Sequence, residues 1–466
     1  MAEPNWVDKT IWTQDNLPVM RGMNSESVDL IYLDPPFNSN ADYAAPIGSK
    51  AAGAAFKDTW SLQDIDIAWL DLIETKHREV ARVIAAAMSK SNMSYLIYMS
   101  VRMLEMKRIL KPTGSVYLHC DPTMNHSLKL LMDAIFGANN FRNDIIWQRR
   151  YGRAKGSQHL PKTWGTHNDN LLFYAGGTSV RVRPFRQISL DEAKQRFPKT
   201  DERGRLYTTI AHFRGRAMGD RPNLCYTWRG FTNPHPSGWR VSKERLEQEY
   251  QDGKVIIKAD GRLERRRYFD PEVGVRTGNL WTDIAPPSGD ELTDYPTQKP
   301  LALLDRIIRA SSNEGDMVLD PFCGCATSMV AADRLARRWV GIDISPKAVE
   351  LVVERVKADQ GMFKKIVPRT DIPLRTDLGP IAIYNSLANK RHLYGEQEGH
   401  CNGCREHFPM KILEVDHIIA ENQGGTHHLQ NLQLLCANCN RIKGDRGQEY
   451  LIARLEQRST KHFWKK

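Results

Sequence analysis

The chain has 466 residues, too many for one ordinary core, and should divide into two or three domains. Lys and Arg outnumber Asp and Glu by 66 to 55, a net +11 that favours a polyanionic partner, nucleic acid first. No apolar run approaches the roughly 18 residues needed to cross a bilayer, and the opening MAEPNWVDKT has no apolar signal core, so membrane and secreted classes are not expected.

In chain order, Val28–Leu33 is a short apolar run with Val, Ile and Tyr that stops at Asp34-Pro35-Pro36-Phe37, the pattern of a buried strand entering a rigid turn. Residues 77–110 have helical periodicity and end at Lys111-Pro112-Thr113-Gly114. Ser115–Leu118 reads as a strand, Asn125–Phe136 as a helix, and Asn143–Trp147 and Asn170–Tyr174 as strands. Such alternation predicts a parallel α/β sheet. Residues 175–290 break the rhythm with Arg, Gly, Pro and aromatics, and are expected to be an insertion of irregular or antiparallel structure. From Leu301 the rhythm resumes: a helix to Ala310, a strand Met317–Leu319, a helix Met329–Arg337, a strand Trp339–Ile342 and a helix Pro346–Val356. Residues 361–381 hold three prolines and no period, the composition of a linker, and a second unit begins near Tyr384.

Two stretches carry chemistry on the α/β part. The loop Asp320-Pro321-Phe322-Cys323-Gly324-Cys325-Ala326-Thr327-Ser328 lies between a strand and a helix, where small residues let backbone approach a ligand, and the next strand ends in Asp343, suited to a ribose. A dinucleotide or phosphate loop is the rival, but neither G-x-G-x-x-G nor a G-K-[ST] ending is present. Asp34-Pro35-Pro36-Phe37 has a different use. The exocyclic amine of adenine or cytosine is a weak nucleophile because its lone pair is delocalised into the ring. A site that activates it must accept hydrogen bonds from its N–H groups, which the Asp34 carboxylate and the Pro35 carbonyl are placed to do; Pro36 stiffens the turn and Phe37 offers a stacking face for a base flipped from the duplex. The bland alternative for the tetrapeptide alone is a helix-capping Asp with a proline turn.

Asp34-Pro-Pro-Phe, then Thr297-Gln298-Lys299-Pro300, then Asp320-Pro-Phe-Cys-Gly, in that order, resemble the β-class DNA amino-methyltransferases over residues 5 to about 360. The resemblance implies a Rossmann-like S-adenosylmethionine-dependent methyltransferase sheet. Its catalytic half would be 1–174, its target-recognition region 175–290 and its cofactor-binding half 291–360. Asp34, Pro35, Pro36 and Phe37 would be catalytic. Asp320, Phe322 and Gly324 would line the S-adenosylmethionine pocket, Thr297, Gln298 and Lys299 its methionine end, Asp343 the ribose and Asp15 the adenine. Arg residues of 175–290 would meet phosphates and guanines, with Trp228, Phe231 and Trp239 available to wedge or stack. An Asp at the head of the tetrapeptide resembles the adenine-N6 subset rather than the cytosine-N4 subset. The chain departs from the family where Ala326 replaces a glycine. Cys323 and Cys325 read as small loop residues rather than as a metal pair.

Near the C-terminus, Cys401-x-x-Cys404 and Cys436-x-x-Cys439 supply four thiolates for a structural Zn²⁺, which a unit of residues 382–466 is small enough to need. With Asp416-His417, Asn431 and Asn440 between and beside them, the unit resembles the HNH (ββα-metal) endonucleases. That implies a hairpin bearing Asp416 and His417, a helix bearing Asn440, and Mg²⁺ or Mn²⁺ on Asp416 and Asn440. His417 would be the general base, oriented by Asn431, with Arg441 and Lys443 meeting phosphate. His427-His428 reads as a surface turn pair. A plain DNA-binding zinc ribbon, or a module serving a mobile element, is the alternative. The double resemblance implies double-stranded DNA as partner, a cytoplasmic protein of prokaryotic or phage origin, and a restriction–modification role. Dimerisation is left open.

Overall fold

In the computed structural model, residues 3–39, 41–44, 55–149, 164–178, 180, 182–293, 295, 297–360, 365–379 and 383–463 are described. The strands of a nine-stranded sheet are β1 (Thr10–Thr13), β2 (Val28–Leu33), β3 (Leu110–Cys120), β4 (Phe141–Gln148), β5 (Asn168–Ala175), β6 (Leu280–Trp281), β7 (Met317–Asp320), β8 (Arg338–Asp343) and β9 (Val367–Arg369). They lie in the order β6-β4-β5-β3-β2-β7-β8-β1-β9. All neighbours run parallel except β5, which is antiparallel to both β3 and β4, so the sheet is mixed where an all-parallel one was expected.

Both faces of the sheet are covered, which is why its central strands are almost wholly apolar. Successive residues feed opposite cores. On β2, Val28, Ile31 and Leu33 join the layer under α2 (Lys90–Ile109) and α3 (Asn125–Phe136), while Leu30 and Tyr32 join the layer under α4 (Leu301–Ser311) and α5 (Thr327–Arg334). The long helical period 77–110 is two helices, Arg78–Ala85 and α2, and the Lys-Pro-Thr-Gly stretch that follows lies within β3. β1 carries no signal long enough to be read from sequence. It pairs with β8 on one side and β9 on the other.

β9 comes from the stretch expected as a linker. That segment is tied to the sheet and to the N-terminal residues: Asn5 Nδ2 donates to Leu374 O at 2.7 Å, Ser25 N donates to Asp377 Oδ2 at 2.9 Å, and Thr376 N donates to Asn24 Oδ1 at 2.8 Å. Residues 361–364, 380 and 381 of the expected linker lie outside the described residues.

The C-terminal module has an antiparallel pair, β10 (Leu413–His417) and β11 (Leu432–Cys436), followed by α6 (Ala437–Lys443) and α7 (Gln448–Phe463). It has its own core of Leu393, Leu413, Leu432, Leu434, Leu435 and Leu451 around the cysteines. It also packs on the sheet domain. Gly424, at φ +80°, lies so close to α1 (Asn16–Gly22) that a Cβ there would stand 2.5 Å from Pro18 O, and α7 packs along the helix Asp64–Lys76.

Residues 184–278 form a separate compact unit, narrower than the 175–290 expected. It holds a four-stranded antiparallel sheet, with a core of Trp228, Trp239, Leu246 and Leu263. Trp228 and Trp239 are thus not free to wedge into DNA: their indole N–H groups donate to Glu247 Oε2 and Tyr226 O, at 2.8 and 2.7 Å. Phe231 is half-buried against Trp228.

Candidate active sites

β2 and β7 are parallel neighbours at the centre of the sheet, with Leu30 opposite Val318 and Ile31 opposite Leu319. The turn after β2 and the loop after β7 therefore leave the same edge, although 286 residues separate Asp34 from Asp320. A cavity of about 470 Å³ opens there. Its wall brings together Asp15, Asp34, Pro35, Pro36, Phe37, Thr297, Gln298, Lys299, Asp320, Phe322, Gly324 and Asp343, with Trp60, Tyr98 and Tyr295, which had no motif to mark them.

At the catalytic turn, Lys299 Nζ pairs with Asp34 Oδ2, while Asp34 Oδ1 is buried with no hydrogen-bond partner among the described residues. Lys299, expected at a cofactor's methionine end, pairs with one oxygen of the carboxylate and leaves the other without a partner among the described residues. Asp58, at the end of the strand Ala55–Asp58, holds the backbone beyond the turn. It accepts from the N–H groups of Phe37, Asn38 and Ser39 at 3.2, 2.6 and 2.8 Å. Sequence gave no sign of Asp58, which lies 21 residues beyond Phe37 in a stretch without pattern. One face of Phe37 stacks on His119 (centroids 5.9 Å apart, planes at 19°). His119 itself is held in a buried chain, Nδ1 3.0 Å from Tyr32 Oη and Nε2 3.2 Å from Asp169 Oδ2.

At the other end of the cavity, Asp343 accepts the N–H groups of Gly324 and Ser345 at 2.9 and 2.8 Å. Asp320 accepts the Phe322 N–H at 3.0 Å and the Ser328 hydroxyl. Burial raises the Asp343 carboxyl and pushes Asp320 up to about 7, even against those two hydrogen bonds; Asp34 adds to the rise. Ala326 stands at φ +70°, ψ 19°, so the loop keeps a left-handed turn despite the missing glycine. Asp15 caps α1 through the Leu17 N–H and forms a two-oxygen ion pair with Arg102, both contacts 3.0 Å. Gln298 does not offer its amide to a ligand. Its Oε1 accepts from Thr293 N and Oγ1, and its Nε2 donates to Glu291 O, closing the loop on itself.

In the C-terminal module the Sγ atoms of Cys401, Cys404, Cys436 and Cys439 all lie within 4.8 Å of one another. Tetrahedral zinc with bonds of about 2.3 Å needs sulfurs about 3.8 Å apart, so the cluster fits that ion. The hairpin chemistry differs from the expectation in several places. Asp416 pairs with Lys443 Nζ at 2.9 Å, which buries Lys443 completely and removes it as a phosphate contact. Asn440 Nδ2 donates to Glu414 Oε2 at 2.5 Å. Glu414 and Asp416, two apart on a strand, share a face that also meets α6. Asn431, expected to orient His417 through its backbone or side chain, bonds next to it: its carbonyl accepts the Ile418 N–H at 2.7 Å. It clamps the following loop, accepting from Ile419 N at 2.9 Å and donating to Ile419 O and Thr426 O at 3.0 and 2.8 Å. His427 does lie in a half-exposed turn, but it is not idle there: its Nδ1 lies 2.9 Å from His417 Nε2, and its Nε2 is 3.0 Å from Glu421 Oε1. Burial lowers the His417 imidazole from its ordinary value, which favours its neutral form.

An α/β sheet with a proline-stiffened carboxylate beside a small-residue ligand loop, followed by a cysteine-stapled hairpin and helix, defines a two-part DNA-modifying chain. Residues 28–354 match the DNA methylase family, and the protein belongs to it; residues 401–446 match the HNH endonuclease family, whose domain it carries. Among its relatives is the type II methyltransferase M.EcaI of Enterobacter cloacae, 27% identical over 83% of this chain and 78% of that protein. The Mod subunit of the type III restriction-modification enzyme StyLTI of Salmonella typhimurium strain LT2 is 27% identical over 68% of this chain and 48% of its own length. The DNA adenine methyltransferase YhdJ of Escherichia coli K12 is 48% identical over 14% of this chain and 23% of its own.

Proposed function

We propose that the chain methylates the N6 amine of adenine at a specific sequence in double-stranded DNA, with S-adenosylmethionine as methyl donor, and that its HNH domain is a metal-dependent endonuclease, the two forming a restriction–modification or DNA-defence enzyme. The observation that carries the first half is the unpartnered Asp34 Oδ1, buried on the wall of a cavity whose other end holds Asp343 and the Asp320–Gly324 loop. An unsatisfied buried carboxylate oxygen is costly unless a ligand donor meets it, and an exocyclic amine is such a donor. S-adenosylmethionine supplies a methyl group on a sulfonium, an electrophile that needs no metal.

The chain's residues supply the rest. Asp34 accepts one amine N–H, which raises electron density on the nitrogen. The nitrogen forms a bond to the methyl carbon as the sulfur–carbon bond breaks, its electron pair staying on sulfur, and the surplus amine proton leaves through Asp34. Lys299 fixes the carboxylate's other oxygen, and Asp58 fixes the turn. Phe37, stacked on His119 and with the Lys299 ammonium 5.2 Å from its ring centre, lines the cavity as the aromatic surface available to the base. Asp343 is placed to accept from ribose hydroxyls, and the αL turn at Ala326 with Gly324 lets backbone approach the nucleoside. The initial Asp of the tetrapeptide and the likeness to an adenine methyltransferase favour adenine over cytosine.

For the endonuclease, the four cysteines would hold structural Zn²⁺. Glu414, Asp416 and Asn440 offer oxygen donors suited to Mg²⁺ or Mn²⁺, which stabilises charge at a cleaved phosphate; Lys443 is the competing cation at Asp416. Digestion of modified plasmid to nucleosides and mass spectrometry tests the base, with N6-methyladenine expected and N4-methylcytosine the contrary result. Incubation of unmodified and self-modified plasmid with Mg²⁺ tests the nuclease. Cutting confined to the unmodified plasmid supports restriction, and intact plasmid in both arms leaves the domain a DNA-binding module.

A further inference from the structure

His427 sits in a half-exposed turn, and the loop after β10 brings it onto His417. We propose that Glu421 and His427 form a hydrogen-bonded relay that holds His417 in the tautomer with its proton on Nε2, so that the Nδ1 lone pair faces the water that attacks the DNA phosphate. This rests on the endonuclease reading of the HNH domain and names two positioning residues for it.

The assignment follows from counting protons. A carboxylate can only accept, so the 3.0 Å contact between Glu421 Oε1 and His427 Nε2 places the His427 proton on Nε2. A neutral imidazole has a single N–H, which leaves His427 Nδ1 as a lone pair. That lone pair lies 2.9 Å from His417 Nε2, which must therefore carry the hydrogen. His417 Nδ1 is then the basic nitrogen. Were Glu421 and His427 missing, both tautomers of His417 would be available, and one has no base where the water must be.

The surroundings hold the chain of contacts together. Tyr384 covers both rings, with centroids 5.3 Å from His427 at 17° and 4.7 Å from His417. The three hydrogen bonds of Asn431 pin Ile419 and Thr426, one at each side of the loop that carries Glu421 and precedes His427. A Cβ at Gly425 would stand 1.8 Å from Ile419 O, so only glycine lets the loop close this tightly. The same three side chains also lie close enough to share a metal ion, their ligand atoms all within 4.8 Å of one another. His427, however, presents Nδ1 to His417 at 2.9 Å and Nε2 to Glu421 at 3.0 Å, both at hydrogen-bond distance, which is the geometry of a relay; the metal reading is an outcome of the test below.

In the step itself the water oxygen forms a bond to phosphorus, and its proton goes to His417 Nδ1. The phosphorus bond to the 3′ oxygen breaks with its electron pair on that oxygen, which takes a proton from solvent. The imidazolium formed on His417 keeps its Nε2–H on His427, and the Glu421 carboxylate balances the charge.

The test uses the full-length protein with Mg²⁺ and single-turnover nicking of supercoiled plasmid. His427→Ala is expected to slow cutting about 100-fold with KM for DNA little changed, the size of effect expected when a base is misoriented. His427→Asn, whose side-chain oxygen can still accept from His417, should recover at least about tenfold of that loss, and Glu421→Gln should lose about tenfold. Retention of Zn²⁺ at the four cysteines by each variant reports that the module is folded. If His427→Ala cuts at the wild-type rate while His417→Ala is dead, the relay is wrong and the endonuclease stands. If His417→Ala also cuts at the wild-type rate, the endonuclease reading fails instead. Nitrogen-15 shifts of labelled histidines give a second readout, independent of cutting. Protonated Nε2 on His417 is expected; protonated Nδ1 overturns the relay. So does stoichiometric Zn²⁺ or Ni²⁺ binding beyond the cysteine site that is lost in His427→Ala.

Discussion

The methyl-transfer cavity and the nuclease hairpin are built on opposite plans. The cavity gathers Asp15, Asp34, Lys299, Asp320 and Asp343 from stretches spread over more than 300 residues, and the sheet order β2-β7-β8-β1 delivers them to one edge. The hairpin gathers Glu414, Asp416, His417, Glu421, His427 and Asn440 from 27 consecutive residues. The dispersed residues share one cavity wall, because a strand end in a parallel sheet is a fixed address. Neighbouring residues part company, because consecutive positions on a strand face opposite ways. His417 meets His427 while Asp416 meets Lys443. Sequence distance is therefore a poor guide to which side chains share a task.

The largest expected effect separates the two regions. Cys436→Ser, or removal of the metal by a chelator, should abolish cutting, since structural zinc is worth of the order of 10 kcal/mol to so small a unit. Methylation by the same sample should stay within about twofold, because the cavity takes no residue from the module. Joint loss of both activities would show that the docking of Gly424 against α1 makes one unit of the two.

Next comes Asp58→Ala, which removes the carboxylate that accepts the N–H groups of Phe37, Asn38 and Ser39 while changing nothing in the cavity's far end. Methylation should fall about 100-fold with binding of S-adenosylmethionine, measured by calorimetry, little changed. An equal loss of both would mean that Asp58 supports the whole fold rather than the catalytic turn.

Asp320 gives a pH test of the cavity alone. Its carboxyl is pushed up to about 7 in the folded chain against about 3.9 unfolded. Between those values the folded state keeps a proton that the unfolded state has lost, so ligand-free stability falls as pH rises from about 4 to 7 and is level above that. Asp320→Asn removes this slope. At pH 8 it should stabilise the ligand-free chain by roughly 1–3 kcal/mol in thermal unfolding. A variant less stable at pH 8 than the parent would show that Asp320 is better satisfied than its burial indicates.

How much could be read beforehand follows from the same contrast. Strand β2, helix α3 and the loop Asp320–Ser328 were legible because apolar period and proline or glycine punctuation mark them. β1 and β9 were not: four and three residues carry no period, and they become strands only because β8 leaves an edge to be paired. Trp228 and Trp239 look like DNA-facing aromatics by composition, but a 95-residue unit needs them for its own core. Lys299 was legible as a site residue from its motif, but no pattern reports that its ammonium pairs with Asp34. Ala326 is the smallest case. Its αL turn costs about 1 kcal/mol, but the buried methyl returns a similar amount, so Ala326→Gly should change stability by less than about 1 kcal/mol and leave cofactor affinity unaltered. A large shift in either would mean that the loop owes its shape to something other than that turn.

The most direct measurement is methyl transfer from labelled S-adenosylmethionine to duplex DNA by Asp34→Ala, paired with calorimetric binding of the same donor. An amine held by Asp34 Oδ1 requires that transfer drop about 10³-fold while donor affinity remains within a few-fold of the parent. Undiminished transfer by Asp34→Ala would contradict it.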